Sequence, residues 1–169
     1  MIGEIKITER GATPGILKRE LNKLKKVAFE SAGIHWHQEI RPKHFTSAGA
    51  GEYGYAARKG ERGNVGTHGF ARTYTGRKLK AYGHTQPLVL TGESEAMTRM
   101  RDVRATSKKV RIVLRAPKLN FRNPDSQANP RAELTAVSQR DAAAMVKCYE
   151  RTMDAEIKQV RSTKSKTIK

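Results

Sequence analysis

Acid is scarce in this chain. Its 169 residues hold 16 Asp and Glu against 34 Lys and Arg, a formal net charge of +18. Aromatic residues make up 6% and apolar residues 37%, below the ~45–50% of an average globular chain, so a modest core is expected. There is one cysteine, which excludes a disulfide scaffold and any cysteine-based zinc site. No run approaches the ~20 apolar residues that span a bilayer, so no membrane partner is expected. The segment Met1-Ile2-Gly3-Glu4-Ile5-Lys6-Ile7 has no signal-peptide core, and a reducing cytoplasm is the expected compartment.

What is abundant is positive charge, and it is distributed along the chain. Lys18, Arg19, Lys23, Lys25 and Lys26 load the first helical pattern; further cations fill a glycine-rich middle and a hairpin pattern. Lys158, Arg161, Lys164, Lys166 and Lys169 follow near the end, with no acid after Glu156. An excess of this size fits nucleic acid, an anionic surface or acidic protein, and it equally fits a solvated surface that keeps an assembly subunit soluble.

The local patterns predict an α+β domain. Met1 to Gly11 reads as a short strand or arm. Thr13-Pro14 opens a helix, with Thr13 at the N-cap. Leu17, Leu21, Leu24, Ala28, Ala32, Trp36 and Ile40 then form one apolar stripe. Gly33 is expected to mark a bend, and Arg41-Pro42 to end the helix, because a residue before proline is pushed out of the helical region. Residues 43–72 read as a long glycine-rich arm containing a short strand at Tyr53–Arg58. Thr73–Ala81 reads as a short basic helix, and Pro87–Gly92 as an apolar run closed by a turn. Met97–Ala116 reads as a hairpin turning at 106–109, its second strand alternating through Val110, Ile112 and Leu114. Arg131–Val137 is expected as another strand. Ser138 caps a second long helix, with Asp141 at the third position, and the chain beyond Val160 should fray. The whole is a small antiparallel sheet flanked by long N-terminal and C-terminal helices, with long ordered loops. Residues 1–160 form one domain and 161–169 a basic tail.

Motifs for catalysis and cofactors are weak. Gly49-Ala50-Gly51-Glu52-Tyr53-Gly54 matches G-x-G-x-x-G, but dinucleotide binding needs a strand before it and a helix after it. Here a helix ending near Pro42 precedes it. His35 and His37 are two apart, a spacing that does not share a helix face, and no acidic cluster accompanies His44, His68 or His84. Cys148 lies beside an apolar stripe and reads as a small core residue. Glu93 and Glu95 read as first-turn acids favoured by a helix dipole. No catalytic, cofactor or metal residues are therefore assigned, and no enzyme activity is expected. The candidate binding residues are Tyr53, Tyr55, Arg58, Lys59, Arg62, Arg72, Arg77, Lys78 and Lys80. Tyrosine and arginine among glycines suit base stacking and phosphate neutralisation, and also suit protein interfaces.

Several segments together resemble a known group. These are Trp36; Arg41-Pro42-Lys43-His44-Phe45; Tyr53-Gly54-Tyr55 with Arg58; Tyr74 and Lys78; Gly83-His84; and Pro87-Leu88-Val89-Leu90-Thr91-Gly92. An apolar-basic hairpin and a helix after Ser138 follow. Over most of residues 16–160 the chain resembles the neck and tail-completion proteins of tailed bacteriophages, the virion-morphogenesis and tail-terminator-like group. Glu93-Ser94-Glu95 departs from that group, where an apolar-basic pair usually follows Thr-Gly. The resemblance implies a structural virion protein assembled in the host cytoplasm. It implies a homo-oligomeric ring, typically a hexamer, that joins the tail tube to the head-tail connector, with packaged DNA passing through the lumen. A basic nucleic-acid-binding protein of ribosomal or chromatin-like character is the alternative.

Overall fold

The computed structural model describes residues 14–165 except Arg62, Pro87, Met100 and 121–126. The expected cap at Thr13 and the expected strand in residues 1–11 fall outside the described residues. Within them the fold is α+β. Long helices α1 (Pro14–His35) and α7 (Gln139–Ser165) flank a two-stranded antiparallel sheet, β1 (Arg101–Ala105) and β2 (Val110–Leu114). Short helices α2 (Ser47–Glu52), α3 (His68–Ala71), α4 (Tyr74–Tyr82), α5 (Glu93–Arg99) and α6 (Pro130–Leu134) fill the connections.

The two long helices are antiparallel. Ser31 meets Cys148 and Thr152, while His35 and Glu39 lie with Arg140 and Ala144 around one shallow depression. Positions that rise along α1 thus fall along α7. The Phe29 and Tyr149 rings close the seam at 4.9 Å. Cys148 is half-buried there, its Sγ 3.4 Å from Ser31 Oγ.

Gly33 does not interrupt α1, which continues through it to His35. The missing side chain admits the hairpin instead: a Cβ at Gly33 would lie 2.6 Å from a Val110 methyl. The change of pitch comes later, in a π-helical turn at Trp36–Ile40 followed by a 3-10 turn at Arg41–Phe45. Arg41 stays helical despite preceding Pro42, so the proline alters the winding and does not stop it. The widened turn places Trp36, His37, Ile40, Arg41, His44 and Phe45 inward, pairs recurring every fourth residue.

The hairpin registers Val103 opposite Ile112 and Ala105 opposite Val110, with the turn at 106–109 as expected. Along β2, Val110, Ile112 and Leu114 are half-buried and alternate with exposed neighbours. The first half of the expected hairpin differs: Met97 to Arg99 belong to α5, whose first turn carries Glu93 and Glu95. Arg131–Val137 is not a strand. Asn129 accepts a hydrogen bond from Ala132 N, and Pro130 occupies the first turn, so α6 forms there. A small core of Phe45, Val89, Leu119 and Leu134 sits between these segments. Helix α7 starts at its predicted cap, Asp141 N donating to Ser138 Oγ at 3.2 Å, and continues past Val160 to Ser165.

Candidate functional site

The segment that carries most of the candidate residues is an arm held down by its own polar groups. Tyr53–Arg58 is not a strand. Gly54 takes φ +62°, a left-handed conformation open to glycine, which brings Tyr53 and Tyr55 onto one side. Both rings stack on His44, at 3.9 Å and 6.2 Å, and Trp36 lies 6.3 Å away on the helix. His44 is fully buried. Its Nδ1 is 2.5 Å from the Tyr55 hydroxyl, and its Nε2 completes no hydrogen bond.

Asp141 gathers three separate segments. Its carboxylate accepts from Lys43 Nζ at 2.8 Å, Tyr53 Oη at 2.7 Å and Ser138 Oγ at 2.8 Å. Burial would raise the pKa of this acid, but the three hydrogen bonds and the Lys43 charge overcome it and hold the carboxyl down at about 2. His44 is governed by burial, which drives its pKa down to about 4. The nearby Asp141 and Glu52 charges only partly offset that. The Tyr53 and Tyr55 hydroxyls are pushed well above the usual phenol range, in both cases first by burial.

Arg58 closes the next layer. It makes a two-pronged ion pair with buried Glu133 on α6, donates to the Ala56 carbonyl at 2.7 Å, and lies over the Tyr55 ring. Arg41 is likewise internal: it donates to the His37 carbonyl and to Thr98 Oγ1, while His37 Nε2 meets the Thr98 carbonyl at 2.9 Å.

The candidate residues therefore divide. Tyr53, Tyr55 and Arg58 face inward. So does Lys78, which is buried, donates to the Gln86 carbonyl and lies over the Tyr74 ring. Lys59, Arg72, Arg77 and Lys80 are exposed. Arg62 lies outside the described residues. The exposed four sit on and before α4, whose N-cap Thr73 accepts from Gly76 N, close to the predicted start. The inward partners Lys43, Glu133 and Asp141 are not legible in the sequence as one cluster, because Glu133 and Asp141 lie 75 to 98 residues from the groups they meet. The Ser138–Asp141 cap is their only local signal.

The glycine motif forms no phosphate cradle: Gly49 and Gly51 lie inside α2, and a Cβ at Gly49 would fall 2.1 Å from the Lys43 carbonyl oxygen. Among the described residues no three His, Cys, Asp or Glu side chains converge as metal ligands, and no helix is long and apolar enough to cross a membrane. The chemistry on offer is structural pairing inside and exposed charge outside. No protein-family model, curated protein or solved structure matches the chain.

Proposed function

We propose that the chain is a structural, non-enzymatic subunit of a tailed-phage virion, a neck or tail-completion component. In this reading copies of the chain form a ring between the tail tube and the head connector. The observation that carries this is apolar surface left exposed among the described residues. On α1, Leu17 and Leu21 are 55% and 43% exposed, and on α7 Val146 is 55% exposed. A cyclic, head-to-tail interface would cover such faces and close on itself.

The resemblance supports the same reading. Two of the segments that carry it, Arg41–Phe45 and Tyr53-Gly54-Tyr55 with Arg58, form the junction that fixes the arm. The alternative, a basic nucleic-acid-binding protein, accounts for the charge and leaves the uncovered leucines without a role.

Sedimentation velocity and negative-stain imaging of the purified protein, alone and with tail tubes and connectors, test the proposal. Rings are expected, and Leu21→Glu should dissociate them. A strict monomer at high concentration that binds neither structure would overturn it.

A further inference from the structure

A basic surface lies away from the arm, on α1. Gly15, Lys18, Arg19, Asn22, Lys23 and Lys26 follow one another at the spacing of a single face of α1, and with Ser107 of the hairpin turn they line an open groove of about 430 Å³. No acid lines it. Lys18, Arg19 and Lys26 are exposed, whereas Lys23 pairs with Glu20 at 2.8 Å. The turn is fixed by Thr106, whose backbone N–H donates to the Lys109 carbonyl and whose hydroxyl accepts from Lys108 N and Lys109 N. Two further exposed lysines thereby stand next to Ser107.

We infer that this groove is a docking surface for the phosphate backbone of duplex nucleic acid, bound without reading sequence. Three features select that occupant. From Lys18 to Lys26 the helix rises ~12 Å, the axial rise of three or four base pairs at ~3.4 Å each. A duplex carries one charge per ~1.7 Å of axis, a density that matches cations on two neighbouring elements. Among the described residues no aromatic side chain lines the groove, so they offer no stacking platform of the kind used for single strands. A second copy is disfavoured because it brings the same positive charge. Phosphate contacts of this kind position a protein and do not specify a base.

The docking surface lies on α1 and not on Arg72, Arg77 and Lys80, and it does not depend on the ring. The test is fluorescence anisotropy with a labelled duplex of about 20 base pairs over a salt series. It compares the full chain, a Lys18→Ala/Arg19→Ala/Lys26→Ala variant and an Arg72→Ala/Arg77→Ala/Lys80→Ala variant. All six positions are exposed, and thermal melts confirm that each variant folds. The α1 variant should flatten the plot of log affinity against log salt by about 2 to 3, close to 0.9 for each phosphate it no longer neutralises. At about 0.1 M salt it should bind roughly tenfold or more weakly. The arm variant should keep the parent slope. An unchanged slope in the α1 variant, or a flattening only in the arm variant, overturns the inference. So does binding to polyglutamate or to phosphatidylserine vesicles with none to the duplex. Sedimentation of the same variants reads assembly separately: rings that form without duplex binding refute this inference alone, and duplex binding by a strict monomer refutes the ring alone.

Discussion

Acidification should loosen this protein through one ring, that of His44. The perturbation is a shift from pH 7 to about pH 4.5. In the unfolded chain this imidazole takes its proton near 6.5, whereas in the folded chain burial holds it neutral down to about 4. Between those values the unfolded state binds the extra proton, so stability rises with pH across the window and is complete above 6.5. Each pH unit in the window is worth about 1.4 kcal/mol, and the fall to pH 4.5 should therefore remove roughly 2–3 kcal/mol. That is a large share of the ~5–15 kcal/mol available to a domain. Asp141, held at about 2 against an ordinary 3.8, contributes above 3.8 and loses its contribution only as the pH falls below that, so the two effects separate. The assay is urea unfolding at dilute protein, followed by the fluorescence of Trp36, the one tryptophan, whose ring is 6.3 Å from His44. His44→Phe keeps a flat ring against Tyr53 and removes the titration, so its stability should change less over the same interval. Equal stability of the parent protein at both pH values would refute the reasoning, as would a His44→Phe protein that loses as much as the parent.

Two further substitutions probe the packing. Gly33→Ala should destabilise by about 1–3 kcal/mol by overpacking, because the new Cβ meets Val110 at 2.6 Å. In a Val110→Ala background the same change should become favourable by up to about 1 kcal/mol, as alanine replaces glycine in a helix; a double-mutant cycle by urea denaturation measures the reversal. Glu133→Gln should cost about 3 kcal/mol, since it leaves Arg58 with little solvent and no counter-charge. The apolar pair Arg58→Met/Glu133→Leu should lie closer to the parent than Glu133→Gln does when midpoints are compared at equal slope.

Elements whose signals are local are readable from the sequence. Ser138 with Asp141 announces α7, Thr73 announces α4, and alternation through Val110, Ile112 and Leu114 announces β2. The elements that escape such reading are those where tertiary partners decide. Tyr53-Gly54-Tyr55 alternates like a strand, but the tyrosines are drawn together by a ring eleven and nine residues away, and Gly54 permits the turn. Arg131–Val137 carries β-like residues at its end, while Asn129 and Pro130 just ahead of it set a helix. Composition likewise reports how many cations there are, but not that Arg58, Lys78 and Arg41 point inward. The α1 basic face is visible as a spacing, yet only the position of the hairpin turn makes it one wall of a groove.

The reach of Asp141 bears on how the chain is made. Its partners Lys43 and Tyr53 lie 98 and 88 residues upstream, and Arg58 waits for Glu133 over 75. Closing a loop of that length costs roughly 4 kcal/mol in chain entropy beyond the fixed term, and the ion pairs that offset it do not exist until α6 and the start of α7 have been made. On the ribosome, synthesis runs from the N-terminus at ~5–20 residues per second. The arm therefore leaves the exit tunnel several seconds before its anchor. During that interval its tyrosines and histidine are open to neighbouring nascent chains, and the first turn of α7 acts as the clasp that ends the exposure.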